Sequence, residues 1–347
     1  MMLLRKIISY IIPSVLFCLL LTAAAAQDLH YSQYFNAPLY VNPANTGFDP
    51  THDYRVGGNY RSEWPSLGSN YQTMGVWGDV QLFNDRFENG WVGLGGSMMK
   101  DVAGSGSLTS TRAIVSVAYH QVLGLNSLLS GGFGIGMVNK RVDLNKLTFN
   151  TQWNGQFFDS QSSSNEPYVY SSVYYFDLQA GVNYAYFATD NVYLNAGFSV
   201  SHLNHPKESF YATDTKIDQL PFRYTAFLNS NIKIDNLWIL NPNIYVSKMA
   251  TSWEVVAGMN ASRNLSGDGT NQLILGLYYR SNDAVIPMVG YQLNDLKITV
   301  NYDATISSLG PYNGTVGAYE LSIIKSGFYG SGDKSSKATK CPKAVSF

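Results

Sequence analysis

Leu296-Lys297-Ile298-Thr299-Val300-Asn301-Tyr302-Asp303 alternates an apolar side chain with a polar one at every step. Successive side chains of a β-strand point to opposite faces. Leu296, Ile298, Val300 and Tyr302 therefore share one face, and Lys297, Thr299, Asn301 and Asp303 the other. A soluble sandwich also alternates, so a single strand does not separate the two architectures. The number of such strands does.

The same pattern recurs through most of the chain. Phe176, Leu178, Ala180, Val182 and Tyr184 oppose Asp177, Gln179, Gly181 and Asn183. Val192, Leu194, Ala196, Phe198 and Val200 oppose Asn195, Gly197, Ser199 and Ser201. Ala113, Val115, Val117 and Tyr119 oppose Ser116 and His120. The alternation predicts about 14 strands, at 53–62, 70–83, 90–101, 107–122, 126–141, 172–187, 191–202, 221–234, 237–247, 251–264, 270–281, 284–293, 295–304 and 316–328. Many alternating strands of even number, without helical periodicity, read as an all-β transmembrane antiparallel β-barrel. Every second connection is short and rich in Asn or Asp, as at Gly124–Asn126, Thr189–Asn191, Asp235–Asn236 and Asn294–Asp295, with Ser266–Asn271 as the one Gly-rich and slightly longer exception. The alternate set holds the long stretches 143–171 and 203–220. Short turns on the periplasmic side and long loops outside are the rule for such barrels.

The N-terminus supports export. Arg5 and Lys6 precede the apolar stretch Ile7–Leu21, and Ala24-Ala25-Ala26 offers a cleavage site, so residues 1–26 read as a secretory signal peptide. Cys18 lies deep in the apolar stretch behind the bulky Phe17, which disfavours a lipoprotein signal. Removing the signal leaves Cys341 as the one cysteine, so the mature fold has no internal disulfide. It also takes the formal net charge from −1 to −3, too weak an imbalance to imply nucleic acid. Charged residues are only 14% of the chain while tyrosine reaches 25 residues, a balance that suits a wall in contact with lipid. Trp91, Trp238 and Trp253 fall beside predicted turns, at depths suited to aromatic girdles or to packing between neighbours.

Two segments stand outside the predicted barrel at 53–328. Residues 27–52 contain Asn36, Pro38, Asn42, Pro43, Asn45 and Gly47, fit poorly with a strand, and read as a plug-like segment. Residues 329–347 are rich in Lys, Ser and Gly and read as a short periplasmic tail. Catalytic motifs are lacking: there is no G-x-S-x-G, no H-E-x-x-H and no pair of C-x-x-C motifs. His202 and His205 sit where a strand enters a long loop, without a carboxylate or cysteine at a convincing spacing for a metal. The glycines Gly93, Gly95 and Gly96 lie within an alternating strand and read as small inward residues beside a plug. Asp79, Asp177, Glu254, Arg112, Arg223 and Arg280 should face the lumen, because an Arg or Lys facing lipid at mid-depth costs about 2–4 kcal/mol.

The stretch Gln27 to Ala44, with Ser32-Gln33-Tyr34, Asn36, Pro38 and Asn42-Pro43 followed by Gly47, resembles the opening of the PorP/SprF family of type IX secretion outer-membrane proteins. Tyr60-Arg61-Ser62-Glu63-Trp64-Pro65, Gly276-Leu277-Tyr278-Tyr279-Arg280 and Tyr302-Asp303 add to the resemblance, as does the Cys341-Pro342 tail ending in Phe347. Asn45-Thr46 and the two long loops depart from it. The resemblance implies a component of type IX secretion and, in some members, of gliding motility. It further implies partners: the translocon, periplasmic ring proteins, and a secreted cargo with a C-terminal type IX signal domain that some members export and hold at the cell surface. No enzyme activity, cofactor or metal is expected. In this reading the plug around Tyr34, Asn36, Pro38, Asn42 and Pro43 is held by inward residues and by Tyr60, Arg61 and Trp64. The basic tail, with Lys334, Lys337, Lys340 and Lys343, faces periplasmic machinery. The alternative is a plugged channel for a small hydrophobic or polar solute. Deleting 330–347 is expected to spare barrel insertion while lowering cargo secretion; unchanged secretion would remove the tail from the mechanism.

Overall fold

The computed structural model describes residues 31–64, 71–83, 86–87, 89–104, 106–147, 149–159, 162–165, 170–211, 219–307 and 317–329. The predicted signal peptide, Pro65 and the tail residues Lys334, Lys337, Lys340, Cys341, Pro342 and Lys343 lie outside them. Fourteen strands form: β1 (Tyr54–Glu63), β2 (Tyr71–Leu82), β3 (Gly90–Ala103), β4 (Leu108–Leu123), β5 (Ser127–Arg141), β6 (Ser172–Thr189), β7 (Val192–Ser201), β8 (Arg223–Lys233), β9 (Trp238–Met249), β10 (Ser252–Asn264), β11 (Asn271–Arg280), β12 (Ala284–Leu293), β13 (Leu296–Thr305) and β14 (Ala318–Gly327). Each end falls within two residues of the range read from the sequence. Every strand pairs antiparallel with the next, and β1 pairs with β14, so the sheet closes on itself. Opposite Pro242 in β8–β9 and Pro287 in β12–β13 the pairing skips, as expected where a residue has no N–H to give.

The burial pattern is that of a soluble protein turned inside out. On β13, Thr299, Asn301 and Asp303 are each 2% exposed, whereas Ile298 and Val300 are 40% and 42% exposed. The same inversion holds around the barrel. Asn183, Ser199, Thr225, Asn260 and Glu320 are buried inside, and Val76, Met98, Val115, Phe133, Phe176, Leu277 and Val289 stand outside. A continuous outer belt of this kind exceeds by far what a water-soluble monomer exposes. It is stable against hydrocarbon, because every backbone polar group in a closed barrel is paired within the sheet.

The six lumen-facing charges named from the sequence, Asp79, Asp177, Glu254, Arg112, Arg223 and Arg280, are all buried. Trp91 follows the second of its two readings: it faces the lumen, buried and stacked on His120, and is no girdle residue. One detail departs from expectation: Gly96 shares the outward face with Leu94 and Met98, while Gly93 and Gly95 point inward. At one end of the barrel every connection is short, as between β4 and β5 or β12 and β13, whereas the other end carries the stretches 142–171, 202–222 and 306–317 beside the short turns β3–β4, β9–β10 and β11–β12.

Candidate functional site

The site is the lumen, and the N-terminal segment occupies it from mouth to mouth. Ser32 and Gln33 sit at the long-loop end, beside the last residues of β1 and β13 and the first of β14. Asp49 and His52 sit at the short-turn end, where β1 begins. Between them the chain makes a tight turn over Tyr34–Asn36, one helical turn over Pro38–Val41 (α1) and a second tight turn over Pro43–Asn45. Pro38 and Pro43 each stand at the first position of their turn, where a fixed φ helps and a missing N–H costs nothing. The Asn42 side chain caps the second turn by accepting from the Ala44 N–H at 2.8 Å.

At the long-loop end the segment is held by charge. The two carboxylate oxygens of Glu320 accept the backbone N–H groups of Ser32 and Gln33, each at 2.9 Å. Arg61 donates to Ser32 Oγ at 2.7 Å, to Asp303 at 2.8 Å and to Glu320 at 3.2 Å. Ser32 Oγ in turn donates to Asp303 at 2.6 Å, and Arg280 pairs with the same carboxylate. Arg61 lies on β1 and Glu320 is its register partner on β14, so this cluster straddles the seam at which the barrel closes. Breaking one partner of a buried pair costs about 3–5 kcal/mol, because the other charge is left uncompensated.

Midway, polar and aromatic contacts alternate. Gln33 donates to Asn301 at 2.5 Å, and Asn36 donates to Thr299 at 2.9 Å. Tyr34 lies against Tyr245 with ring centroids 4.8 Å apart, and Phe35 stacks on Tyr278 at 5.2 Å. Tyr40 Oη reaches the carbonyls of Val76 and Met98 at 2.9 and 2.8 Å. Asn42 Nδ2 donates to the Val182 carbonyl on β6 at 2.9 Å, and Asn183 donates to Asn45 at 2.8 Å.

At the short-turn end the backbone itself meets the wall. Gly47 has φ +66°, and a Cβ there would lie 2.5 Å from the Gly93 Cα. A side chain at Gly93 would in turn run into the Thr46 carbonyl. Glycine at both positions is what allows two backbones to touch. The Gly47 N–H donates to Asp79 at 2.7 Å, and its carbonyl accepts from Trp91 Nε1 at 2.9 Å and Gln81 at 3.0 Å. His120 Nε2 lies 2.8 Å from the Thr46 carbonyl. Below, His52 sits 3.0 Å from Asp49 and 3.6 Å from Asp295. Burial opposes ionisation of Asp49, yet the hydrogen bond from His52 and the charge of Arg55 hold its carboxyl well below the usual range. Burial likewise opposes charging of His52, and its bond to Asp49 outweighs it and raises its pKa.

Of the residues singled out from the sequence, Ser32, Gln33, Tyr34, Asn36, Pro38, Asn42, Pro43 and Gly47 all lie on the lumenal segment, and Arg61 binds it. Tyr60 does not: it is the outward neighbour of Arg61 and is 39% exposed. Trp64 rests edge-on against Tyr71 at 5.2 Å. Sequence reasoning missed the holding roles of Glu320, Gln81, Trp91 and His120. Glu320 was findable, since it stands on the polar face of the last strand. His202 and His205 do not converge: His202 pairs with Asp177 at 2.9 Å, while His205 lies 3.0 Å from the Leu220 carbonyl. Among the described residues no group of three His, Cys, Asp or Glu side chains is placed to hold a metal.

A closed antiparallel barrel with an apolar outer belt, a polar lining and a lumenal N-terminal segment defines a membrane β-barrel of the outer-membrane type. The family model of the type IX secretion system membrane protein PorP/SprF matches residues 23–324, and the chain belongs to that family. No curated protein matches the chain by sequence. Among solved structures, the Ralstonia pickettii toluene transporter TbuX is 10% identical over 83% of this chain and 92% of its own, with a TM-score of 0.49. The Pseudomonas putida toluene transporter TodX is 10% identical over 83% and 91%, also at 0.49. A Pseudomonas aeruginosa FadL homologue is 10% identical over 82% and 92%, at 0.46.

Two outcomes test the site. Glu320→Gln is expected to cost about 1–3 kcal/mol, because an amide cannot accept the N–H groups of both Ser32 and Gln33, while Arg61 keeps Asp303 and Glu63 but loses its partner across the seam. The readout is the urea midpoint of the folded-to-unfolded band shift on a cold gel, and an unmoved midpoint would deny the cluster its part in closure. The second concerns pH. His52 has a raised pKa, so its stabilisation is complete below its unfolded value of about 6.5 and is lost as pH climbs through the higher folded value. Hydrogen exchange at 49–53 is expected to speed up beyond the intrinsic base-catalysed rise over that window in the wild type but not in His52→Asn.

Proposed function

We propose that this protein is a non-enzymatic outer-membrane receptor that supports export of a secreted partner and holds it at the cell surface. The long-loop end faces outside and the short-turn end faces the periplasm, where ring components of the secretion machinery dock. Membership of the PorP/SprF family ties the chain to type IX secretion. The observation that carries the finer reading is the lumenal segment, which is hydrogen-bonded to β1–β4, β6, β7, β13 and β14 and packs its rings on Tyr245 and Tyr278 across the rest of the lumen. A lumen so occupied leaves the loop end as the surface that a partner meets. A solute channel would require the segment to leave, breaking the buried cluster around Arg61 and the backbone contacts of Gly47.

The loop end carries what a protein partner would use. Trp153, Phe157, Phe158 and Tyr170, in the stretch between β5 and β6, are about half exposed. Trp153 and Phe158 face one another across a short antiparallel bridge with ring centroids 5.1 Å apart, so these aromatics are presented on a folded tip. Exposed aromatic side chains of this kind are enriched at the core of protein interfaces.

The test is a mild-detergent pull-down of the tagged protein from its native membrane, with mass spectrometry of what accompanies it. A large secreted protein at stoichiometric yield is expected, and its recovery should fall about tenfold or more when Trp153, Phe157 and Phe158 are replaced by serine. A clean monomer from the wild type would overturn the anchoring role. Equal recovery from the triple variant would move the contact away from this tip.

A further inference from the structure

The outward face of the wall carries a second feature. In the described strands every Asp and Glu, including Asp79, Asp101, Asp177, Glu254, Asp303 and Glu320, lies on the lumenal side, and the charges on the lipid side are all basic. Three of those are already engaged. Lys248 sits 4.7 Å over Trp253, Arg263 lies 5.6 Å over Trp238, and Lys325 is 3.5 Å from Asp295. Lys100 on β3 and Arg141 on β5 are exposed and have no ion pair or ring partner among the described residues.

These two stand together. Lys100 pairs in register with Thr111 on β4, Thr111 with Asn139 on β5, and Arg141 lies two residues beyond Asn139 on the same outward face. Strands about 4.8 Å apart and a rise of about 3.3 Å per residue place the two Cα atoms roughly 12 Å apart, within joint reach of two long side chains. Thr109 and Thr111 lie between them; the Thr109 hydroxyl already donates to the Ser107 carbonyl at 3.0 Å, which leaves the Thr111 hydroxyl as the donor between the two cations. Directly toward mid-membrane on the same strands come Met98, Val115 and Met137, each about half exposed. Two cations with a hydroxyl between them, at the upper margin of an apolar belt, match an anionic headgroup whose acyl chains lie along that belt.

We propose that the outward face of β3–β5 at the long-loop end is a binding site for a phosphorylated membrane lipid, with Lys100 and Arg141 clamping its phosphates. The site's chemistry stands apart from the proposed export role; only the choice of leaflet rests on the orientation given above, which makes the ligand a phosphorylated glycolipid of the outer leaflet.

Native mass spectrometry of the full chain in detergent, titrated separately with bisphosphorylated lipid A, phosphatidylglycerol, phosphatidylethanolamine and inorganic phosphate, tests this. Lipid A is expected to bind best, and Lys100→Gln with Arg141→Gln should weaken it at least tenfold. Arg263→Gln with Lys325→Gln, at the other end of the wall, should leave it unchanged, and a cold-gel band shift confirms that both variants fold. Equal lipid A binding by the two double variants, or binding of inorganic phosphate as tight as that of either anionic lipid, would overturn the proposal. Preference for phosphatidylglycerol, lost in the Lys100/Arg141 variant, would uphold the site and overturn the orientation.

Discussion

A barrel is free of edges only while its first and last strands stay paired. Here that pairing is reinforced from within by one buried cluster. Arg61 on β1 meets Glu320 on β14 and Asp303 on β13, with Arg280 closing in from β11. The cluster is completed by a part of the chain that belongs to no strand, since Ser32 and the N–H groups of residues 32 and 33 fill the remaining acceptor positions. Ion pairs removed from water are stable only when such extra hydrogen bonds satisfy them. The segment and the seam therefore depend on each other, and the polar lining of the lumen takes its layout from both.

Much of the fold was open to reading from sequence because the membrane imposes a harsh rule. At mid-depth a side chain on the lipid face is apolar, and its neighbour on the next position faces a wet or hydrogen-bonded interior. Leu296 to Asp303 shows that rule without interruption, and the strand ends follow once the alternation stops at Asn- or Asp-rich turns. The site was legible in part. The Pro and Asn content of 31–52 marked it as something other than a strand, but its route was hidden. Position in sequence does not reveal which mouth the segment starts from. Nor does it show that Trp91 turns inward to bind a carbonyl, because an aromatic beside a turn fits a lipid interface equally well. Tyr60 and Arg61 illustrate the same limit: adjacent residues in one motif face opposite sides, and only Arg61 touches the segment.

The wall also divides its labour by charge. In the described strands carboxylates gather inside, where they accept from the segment's backbone, and the charges on the lipid face are all cations. That separation leaves each face suited to a different partner: backbone amides within and anionic headgroups without. The loop end adds a third surface, in which aromatic rings on a folded tip stand clear of the barrel.

The direction of the lumenal segment has a mechanical consequence. Residue 31 lies at one mouth, and the chain joins β1 at the other. A pull on the segment from the long-loop side loads the contacts of Ser32 and Gln33 with Glu320 first, and the turns along the segment give it slack to lengthen. A pull from the short-turn side begins instead at Asp49 and Gly47. Whichever contacts yield first, the covalent junction with β1 keeps the segment moored at the short-turn mouth: it is a stopper on a leash, attached to the wall even when its contacts are undone.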